Sequence, residues 1–174
     1  QQELAQTAAA DLLDRAIDLD PSNVERLRLR MELAEMAGDR KALLQVLRKY
    51  IAQRGEDDAV QLRLVDMLAD QQQTADERLT FYRRIVDGRH ADQFSRPLRS
   101  RVAHRAAALA FEKGDDTAYR KYLRRAIELD PTNSRAAVDI YRFVTQREQA
   151  TTVDRAAALF TLLVADPTDA ETHA

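Results

Sequence analysis

The sequence predicts an all-α protein in which antiparallel pairs of helices repeat along the chain. The segment at residues 15–23, Arg-Ala-Ile-Asp-Leu-Asp-Pro-Ser-Asn, returns at residues 125–133 as Arg-Ala-Ile-Glu-Leu-Asp-Pro-Thr-Asn, and internal self-similarity is the signature of a repeat architecture. Apolar residues between the copies follow the 3.6-residue period of a helix. The 174 residues include only four Gly and four Pro, which leaves little material for turns or strands.

The spacing of the copies gives the length of the repeat. A weaker copy, Leu-Leu-Val-Ala-Asp-Pro-Thr-Asp, occupies residues 162–169, so the prolines of the three copies are Pro21, Pro131 and Pro167. The second interval is 36 residues (167 − 131) and the first is 110 (131 − 21), which is about three times as long. Two degenerate boundaries are therefore expected, near residues 55–58 and across residues 87–95. Gly-Asp pairs at residues 38–39 and 114–115, each between two apolar helices, support this count.

The short polar segments between the helices predict where each helix begins and ends. The residue before a proline avoids helical geometry, and Ser22, Asn23, Thr132 or Asn133 can cap the following helix. Apolar stripes within one unit are expected to form its core: Leu27, Met31 and Ala34, then Leu43, Leu47 and Tyr50. Helices are expected at residues 2–19, 23–37, 40–53, 58–71, 75–87, 96–113, 116–129, 133–147 and 151–165. The connection between the fifth and sixth helices is the only clear insertion.

The two ends of the sequence fall in the middle of repeat units. Residues 1–19 correspond to the second helix of a unit, and residues 168–174 correspond to the start of another helix. We therefore expect residues 1–174 to be a single helical-repeat domain of about four helix pairs plus a leading helix, taken from a longer chain.

The aromatic residues fall mostly on apolar helical stripes, and core packing is the ordinary role of such residues. We expect them to be buried: Tyr50, Phe81, Tyr82, Tyr119, Tyr122, Tyr141, Phe143 and Phe160.

These patterns resemble the tetratricopeptide repeat family. Its second-helix signature is matched by Ala9, Leu13, Ala16 and Pro21 and by Tyr119, Leu123, Ala126 and Pro131; its first-helix signature is matched by Leu27, Met31, Ala34 and Gly38 and by Ala103, Ala107, Ala110 and Gly114. The sequence has no tryptophan, although the family pattern contains one, and Arg30 stands where the pattern prefers an apolar residue. The resemblance implies an α-solenoid that winds as a right-handed superhelix, with a concave groove lined by the first helix of each pair. It also implies a non-catalytic protein-interaction scaffold.

Composition argues against several classes of chemistry. There is no cysteine, so disulfides and thiolate zinc sites are impossible. The three histidines, His90, His104 and His173, are scattered, and no phosphate-binding glycine loop or nucleophile motif is present. We therefore expect no catalytic residue, no metal and no cofactor. No apolar run in the sequence approaches the length needed to cross a bilayer.

The resemblance to the tetratricopeptide family also selects candidate partner-binding residues. Its groove positions correspond to Arg28, Arg63, Asp66, Arg101, His104, Arg105, Phe111, Arg135 and Arg142. The second half of this set is mainly basic, and arginine presents forked donors that suit carboxylates. An acidic or C-terminal carboxylate peptide is one expectation; the other is a solvated arginine face neutralised by nearby acids. Glu32 and Asp66 argue against the subclass that grips two carboxylates with amides and basic residues, because they would repel the ligand.

Other functions stay open at this point. The arginine stretch, which runs from Arg96 through Arg105 to Arg142, suggests nucleic-acid binding, but the formal net charge is −2 and few aromatic residues stand among the arginines. Self-association by end-to-end stacking is a further possibility, because repeat arrays without polar caps can stack. On that interpretation the chain is an oligomerising structural segment of a larger protein. The preference for arginine over lysine, of which there are four, is typical of a GC-rich bacterial genome.

Overall fold

The structure, a computed structural model, describes residues 2–147 and 150–167, which form nine α-helices and no strand. The helices are α1 (Gln2–Leu19), α2 (Val24–Met36), α3 (Arg40–Gln53), α4 (Asp58–Ala69), α5 (Ala75–Asp87), α6 (Arg96–Glu112), α7 (Asp116–Leu129), α8 (Ser134–Thr145) and α9 (Thr152–Ala165). Each of these ends lies within two residues of the end expected from the sequence. The insertion between α5 and α6 contains a 3₁₀ turn at Ala91–Gln93, which the sequence did not predict.

The chain divides into two compact units, Gln1–Leu68 and Ala69–Ala174. The first contains α1 to α3 and nearly all of α4, and the second contains α5 to α9. The expected single domain over residues 1–174 stays a prediction. The helix start expected at residues 168–174, with His173, lies outside the described residues.

The Asp-Pro corners have the same hydrogen bonds in both strong copies. In the first, the Ser22 hydroxyl donates to Asp20 Oδ1 at 2.8 Å, and Asn23 caps α2 by accepting from the Arg26 N–H. In the second, the Thr132 hydroxyl donates to Asp130 Oδ1 at 2.7 Å. Asn133 there caps α8 by accepting from the Ala136 N–H. Of the four residues expected to cap helices, Asn23 and Asn133 therefore do so, whereas Ser22 and Thr132 donate hydrogen bonds to the aspartates before the prolines.

The two Gly-Asp pairs also have equivalent geometry. Gly38 and Gly114 have φ of +65° and +72°, in the left-handed region that favours glycine. The aspartates that follow them, Asp39 and Asp115, cap α3 and α7 by accepting from the backbone N–H three residues on, each at 2.9 Å. Glycine thus ends the first helix of the pair and aspartate starts the second in both places.

The core of the first unit contains the residues that the periodicity selected. Leu27, Leu47 and Tyr50 are at most 1% exposed. Ile17 of α1 joins them, and apolar residues of α4 pack against the cluster. These positions confirm the predicted apolar stripes.

Arg30, which departs from the family pattern, is almost fully buried in the first unit. Its Nε and Nη2 donate to the two carboxylate oxygens of Asp14 on α1, at 2.9 and 3.1 Å. The aliphatic part of the arginine can fill the apolar position while its guanidinium reaches a half-exposed acid. A long-range ion pair therefore accommodates a charge at a core position.

Small side chains dominate the core of the second unit, where α6 packs against both α5 and α7. Alanine lets helices approach closely without leaving a void. The fully buried alanines of α6, α7 and α8 are Ala103, Ala106, Ala107, Ala110, Ala126, Ala136 and Ala137.

The expectation that the aromatic residues are buried holds for four of them and fails clearly for one. Tyr50, Tyr82, Tyr119 and Tyr122 are less than 9% exposed, whereas Phe160 is 68% exposed. Phe160 lies on α9 on the side away from the buried Ala158 and Leu162, so this prediction was wrong. The other three rings, of Phe81, Tyr141 and Phe143, are half-buried.

Among the helices that the structure describes, none has both the length and the apolar character required to cross a membrane.

We expect Leu47→Ala to lower the free energy of unfolding by about 2–5 kcal/mol, because it removes a fully buried side chain and leaves a cavity. Urea unfolding followed by circular dichroism measures the change. Leu29→Ala is the matched control, since Leu29 is 52% exposed on the neighbouring helix and should cost less than about 0.5 kcal/mol beyond any propensity effect. A loss below about 1 kcal/mol for Leu47→Ala would contradict the packing described here.

The start of α9 should make part of the stability depend on acid pH. The Thr151 hydroxyl and N–H donate to Asp154 Oδ2 at 2.7 and 3.0 Å, and these hydrogen bonds hold the pKa of Asp154 below its ordinary value of 3.8. The ionised carboxylate therefore stabilises the fold above pH 3.8, and the contribution is lost as the pH falls through the lowered pKa. The melting temperature of Asp154→Asn should lie below that of the wild type at neutral pH and approach it at strongly acid pH. Asp11→Asn, at an exposed position, should show no such convergence.

Candidate functional site

The exposed side of α6 carries most of the candidate residues from the second half of the sequence. Arg101, His104 and Arg105 occupy positions one turn apart, and Phe111 lies two turns beyond His104 on the same helix. Arg101 and Arg105 are exposed, and the Phe111 side chain is 62% exposed. All the intervening residues of α6 except the exposed Ala108 are buried: Val102, Ala103, Ala106, Ala107, Leu109 and Ala110. Because one side of α6 is buried, its arginines lie on the opposite, exposed side.

The exposed side of α8 carries the remaining candidates of the second half, Arg135 and Arg142, with Asp139 between them. Arg135, Asp139 and Arg142 recur at intervals of three and four residues and are exposed or half-buried, while Ala136 and Ala137 beside them are buried. The His104 Nε2 lies 2.8 Å from the Asp139 Oδ2, so a hydrogen bond joins the two helices. We call the surface formed by Arg101, His104, Arg105, Arg135, Asp139 and Arg142 the α6–α8 face.

A cavity of about 370 Å³ opens on this face. Its lining brings together three of the candidates, His104, Arg135 and Arg142, with Val138 and Asp139, which the same family positions on α8 select. It adds Ser134, Leu162 and Asp166, which the sequence did not indicate. Arg101, Arg105 and Phe111 do not line it. The full lining is His104, Ser134, Arg135, Val138, Asp139, Arg142, Leu162 and Asp166.

Positive charge predominates on the α6–α8 face and its cavity. The face and its cavity contain four arginines but only two carboxylates, those of Asp139 and Asp166. Asp139 is already hydrogen-bonded to His104. Arg101 and Arg135 have no acidic partner among the described residues. The face can therefore bind a further anionic group, and forked guanidinium donors suit a carboxylate.

The candidates of the first unit are paired with neighbours. Arg28 donates to the Tyr50 hydroxyl and to Glu25 Oε1, both at 3.3 Å, and the contact with Tyr50 raises the pKa of Arg28. Arg63 forms an ion pair with Glu35, and Asp66 is half-buried on α4. Arg28 and Arg63, the two candidate arginines of this unit, are therefore each paired with a nearby acid.

Two residues of the arginine stretch, Arg96 and Arg99, stabilise the fold. Arg96 donates to the carbonyl oxygens of Glu128 and Leu129 at the end of α7. Arg99 donates through Nε and Nη2 to the Val86 carbonyl oxygen, at 3.0 and 2.7 Å. The last carbonyl oxygens of a helix have no N–H partner within that helix. Here the arginines supply the missing hydrogen bonds. Arg96 and Arg99 therefore do not belong to the α6–α8 face.

The one fully buried polar residue of α6 is also structural. Ser100 is 0% exposed; its hydroxyl donates to the Ala126 carbonyl oxygen at 2.7 Å and accepts from Asn133 Nδ2 at 2.8 Å. It thus connects α6, α7 and the cap of α8, with no base beside it to make it a nucleophile. Among the described residues, no cluster of His, Asp or Glu has the arrangement to hold a metal ion.

Sequence reasoning missed the contribution of α9 to the cavity. Leu162 and Asp166 belong to the third copy of the repeated segment, where the sequence indicated only the end of a helix. Asp166 is the residue before Pro167, equivalent to Asp20 and Asp130 of the other copies. That equivalence could have indicated a corner next to α8, but not the direction of its side chain.

Neither the known protein families nor the curated proteins include a match to this sequence. Among solved structures, the fold is similar to that described as the MamA RS-1 ArsTM double mutant, with a TM-score of 0.52, 13% identity, and coverage of 98% of this chain and 90% of that one. A crystal structure of MamA covers 94% of this chain and 88% of its own, at 13% identity and a TM-score of 0.48. The likeness to the first confirms the predicted fold class: the chain is an all-α helical-repeat protein of the solenoid type.

Proposed function

We propose that the chain is a tetratricopeptide-like, non-catalytic scaffold that holds an acidic protein segment or a C-terminal carboxylate on the α6–α8 face. The observation that carries this proposal is the excess of arginine on the α6–α8 face, where four guanidinium groups accompany one carboxylate, that of Asp139, beside a cavity of about 370 Å³. The first helices of two consecutive pairs supply the face, which is where the family resemblance places the groove. Helical-repeat proteins use such extended surfaces for recognition.

The geometry favours a carboxylate ligand over a nucleic acid. Arg101, Arg135 and Arg142 each present a planar pair of guanidinium donors, which matches a carboxylate. Stacking of bases on aromatic side chains is the usual means of holding single strands. Phe111 is the one strongly exposed aromatic residue on the described part of α6, and it does not line the cavity. A protein segment with carboxylates is therefore the better match.

We expect Arg101→Glu together with Arg105→Glu to abolish binding of the partner while helicity and melting temperature stay nearly unchanged, because both positions are exposed. Affinity capture from a lysate of the source cell with mass spectrometry identifies what only the wild type retains. Competition with a glutamate-rich peptide then tests whether the retained protein binds through carboxylates.

Arg15→Glu with Arg48→Glu is the matched control for this pair. It makes the same change in net charge at exposed positions of the first unit and should leave capture intact. Identical captures by the wild type and the Arg101, Arg105 variant would remove the α6–α8 face from the proposal.

A second candidate function is self-association as a structural segment of a larger protein. Leu4, Leu12 and Leu19 are 65–87% exposed along one side of α1. Val153 and Phe160 of α9 are 76% and 68% exposed and are spaced two turns apart. Contiguous exposed apolar stripes mark interaction surfaces, and two such stripes allow copies of one chain to associate.

For this second function, sedimentation velocity should show the wild type as a concentration-dependent oligomer. Phe160→Glu should shift the protein to the monomer, because a charge at that position opposes burial of the stripe. Arg155→Glu, an exposed change on the same helix, should leave the oligomer intact. A wild type that stays monomeric up to about 100 μM, which is weaker association than about −5.5 kcal/mol, would contradict the function.

A further inference from the structure

A second groove lies within the second unit between α7 and α9, with α8 as its floor. It consists of two cavities of about 530 and 310 Å³ that share five lining residues: Arg120, Arg124, Phe143, Val144 and Asp154. None of these belongs to the α6–α8 face. We call this surface the α7–α9 groove.

One end of the α7–α9 groove is basic. Arg120 and Arg124 are exposed, stand one turn apart on α7, and line both cavities. Arg147, after α8, lines the larger one. Its guanidinium lies 4.3 Å from the centre of the Phe143 ring, and that of Arg120 lies 5.8 Å from it. Contact with the ring holds these cations beside the groove.

The acids near this end are already engaged. Asp116 Oδ2 accepts from Arg147 Nη2 at 2.9 Å, and Asp154 Oδ2 accepts two hydrogen bonds from Thr151. Among the described residues, neither Arg120 nor Arg124 donates a hydrogen bond to a carboxylate. Along with the hydrogen bonds from Thr151, attraction to Arg124 contributes to the lowered pKa of Asp154, but neither guanidinium group is hydrogen-bonded to that carboxylate, so both retain donors for an anionic ligand.

The other end of the groove is mainly apolar, although Thr161 and Glu128, whose carboxylate accepts a hydrogen bond from Arg125, also line the smaller cavity. Ile127 and Ile140 are half-buried there, and the exposed Ala157 of α9 leaves space above them. The apolar residues of the smaller cavity are Leu123, Ile127, Ile140, Phe143, Val144, Ala157 and Ala158. A volume of about 310 Å³ accommodates one or two aliphatic side chains but not a folded element.

The basic and apolar ends are close to each other. Seven residues of helix separate Arg120 from Ile127, which corresponds to about 10 Å along the axis of α7. A ligand that fits both ends must therefore carry a carboxylate within a few residues of an aliphatic side chain. A phosphate backbone would use the arginines and leave the apolar end empty.

We propose that the α7–α9 groove binds a protein segment in which acidic residues stand next to a large aliphatic residue. Its carboxylates bind Arg120 and Arg124, and its aliphatic side chain packs over Ile127, Ile140 and Ala157. The two walls of this groove are the second helices of two pairs, α7 and α9, whereas the α6–α8 face is formed by first helices. The chain accordingly has two separate binding surfaces.

The probe for this proposal is a random 12-residue peptide library displayed on phage and selected on the whole chain. Selections run in parallel on the wild type and on Arg120→Gln with Arg124→Gln, which removes two charges at exposed positions and keeps the side-chain length. Circular dichroism and the melting temperature verify that the variant folds. Peptides retained by the wild type and lost by the variant should be enriched in Asp or Glu within about four residues of Leu, Ile or Met, since four residues make about one helical turn.

Fluorescence anisotropy with one enriched peptide then tests both ends of the groove. The double Gln variant should bind it at least about tenfold more weakly, because hydrogen bonds between charged groups are lost. Ala157→Phe should weaken binding to a similar degree by filling the apolar end while both arginines remain. Changing the acidic residue of the peptide to its amide, or its aliphatic residue to alanine, should have matching effects.

The Arg101→Glu, Arg105→Glu variant separates this proposal from the proposed function of the α6–α8 face. It should bind the enriched peptide as the wild type does, whatever becomes of its own partner. The proposal is overturned if no acidic and aliphatic combination is enriched, or if the alanine peptide binds as well as its parent. Displacement of the peptide by a single-stranded oligonucleotide at equal concentration would assign the arginines to nucleic acid instead.

Discussion

The corner between one helix pair and the next is the constraint on which the rest of the structure depends. A chain made of helices must satisfy the free N–H and C=O groups at each helix end within a few residues. Here the Asp-Pro-Ser/Thr-Asn corner does this with a fixed set of hydrogen bonds: the aspartate is braced by the hydroxyl residue, and the asparagine caps the next helix. Because the corner fixes the residue at which α2 and α8 begin, it also sets which side chains of these two helices turn toward the core.

Local rules were sufficient to predict the helices but not the contacts between distant side chains. Caps and apolar periodicity located every helix end to within two residues, and the buried stripes followed. Arg30 looked like a defect in the family pattern because its partner, Asp14, lies on another helix. The exposure of Phe160 could not be predicted either, since its stripe is apolar and only the packing partners of α9 decide which apolar side is covered.

For the candidate sites too, the sequence predicted local spacing but not contacts between distant residues. Spacing along α6 was enough to put Arg101, His104 and Arg105 on one exposed side, but the hydrogen bond from His104 to Asp139 links residues 35 positions apart. The family resemblance directed attention to the first helices of the pairs. The α7–α9 groove belongs to the second helices, and its only sequence signal was the one-turn spacing of Arg120 and Arg124 before Ile127. Such spacing is common on soluble helices, so it becomes informative only when α9 is seen to form the opposite wall.

Gly38 and Gly114 have a consequence for how this sequence can change over evolutionary time. Both residues are exposed, and an added Cβ would meet no other atom within 4 Å. Steric contact therefore does not limit which residues can replace these glycines. The limit comes from their left-handed backbone conformation. Two positions open to solvent should consequently accept as few substitutions as a core position, with asparagine the best tolerated replacement and β-branched residues the worst. Exposure alone is thus a poor guide to mutational tolerance in this protein.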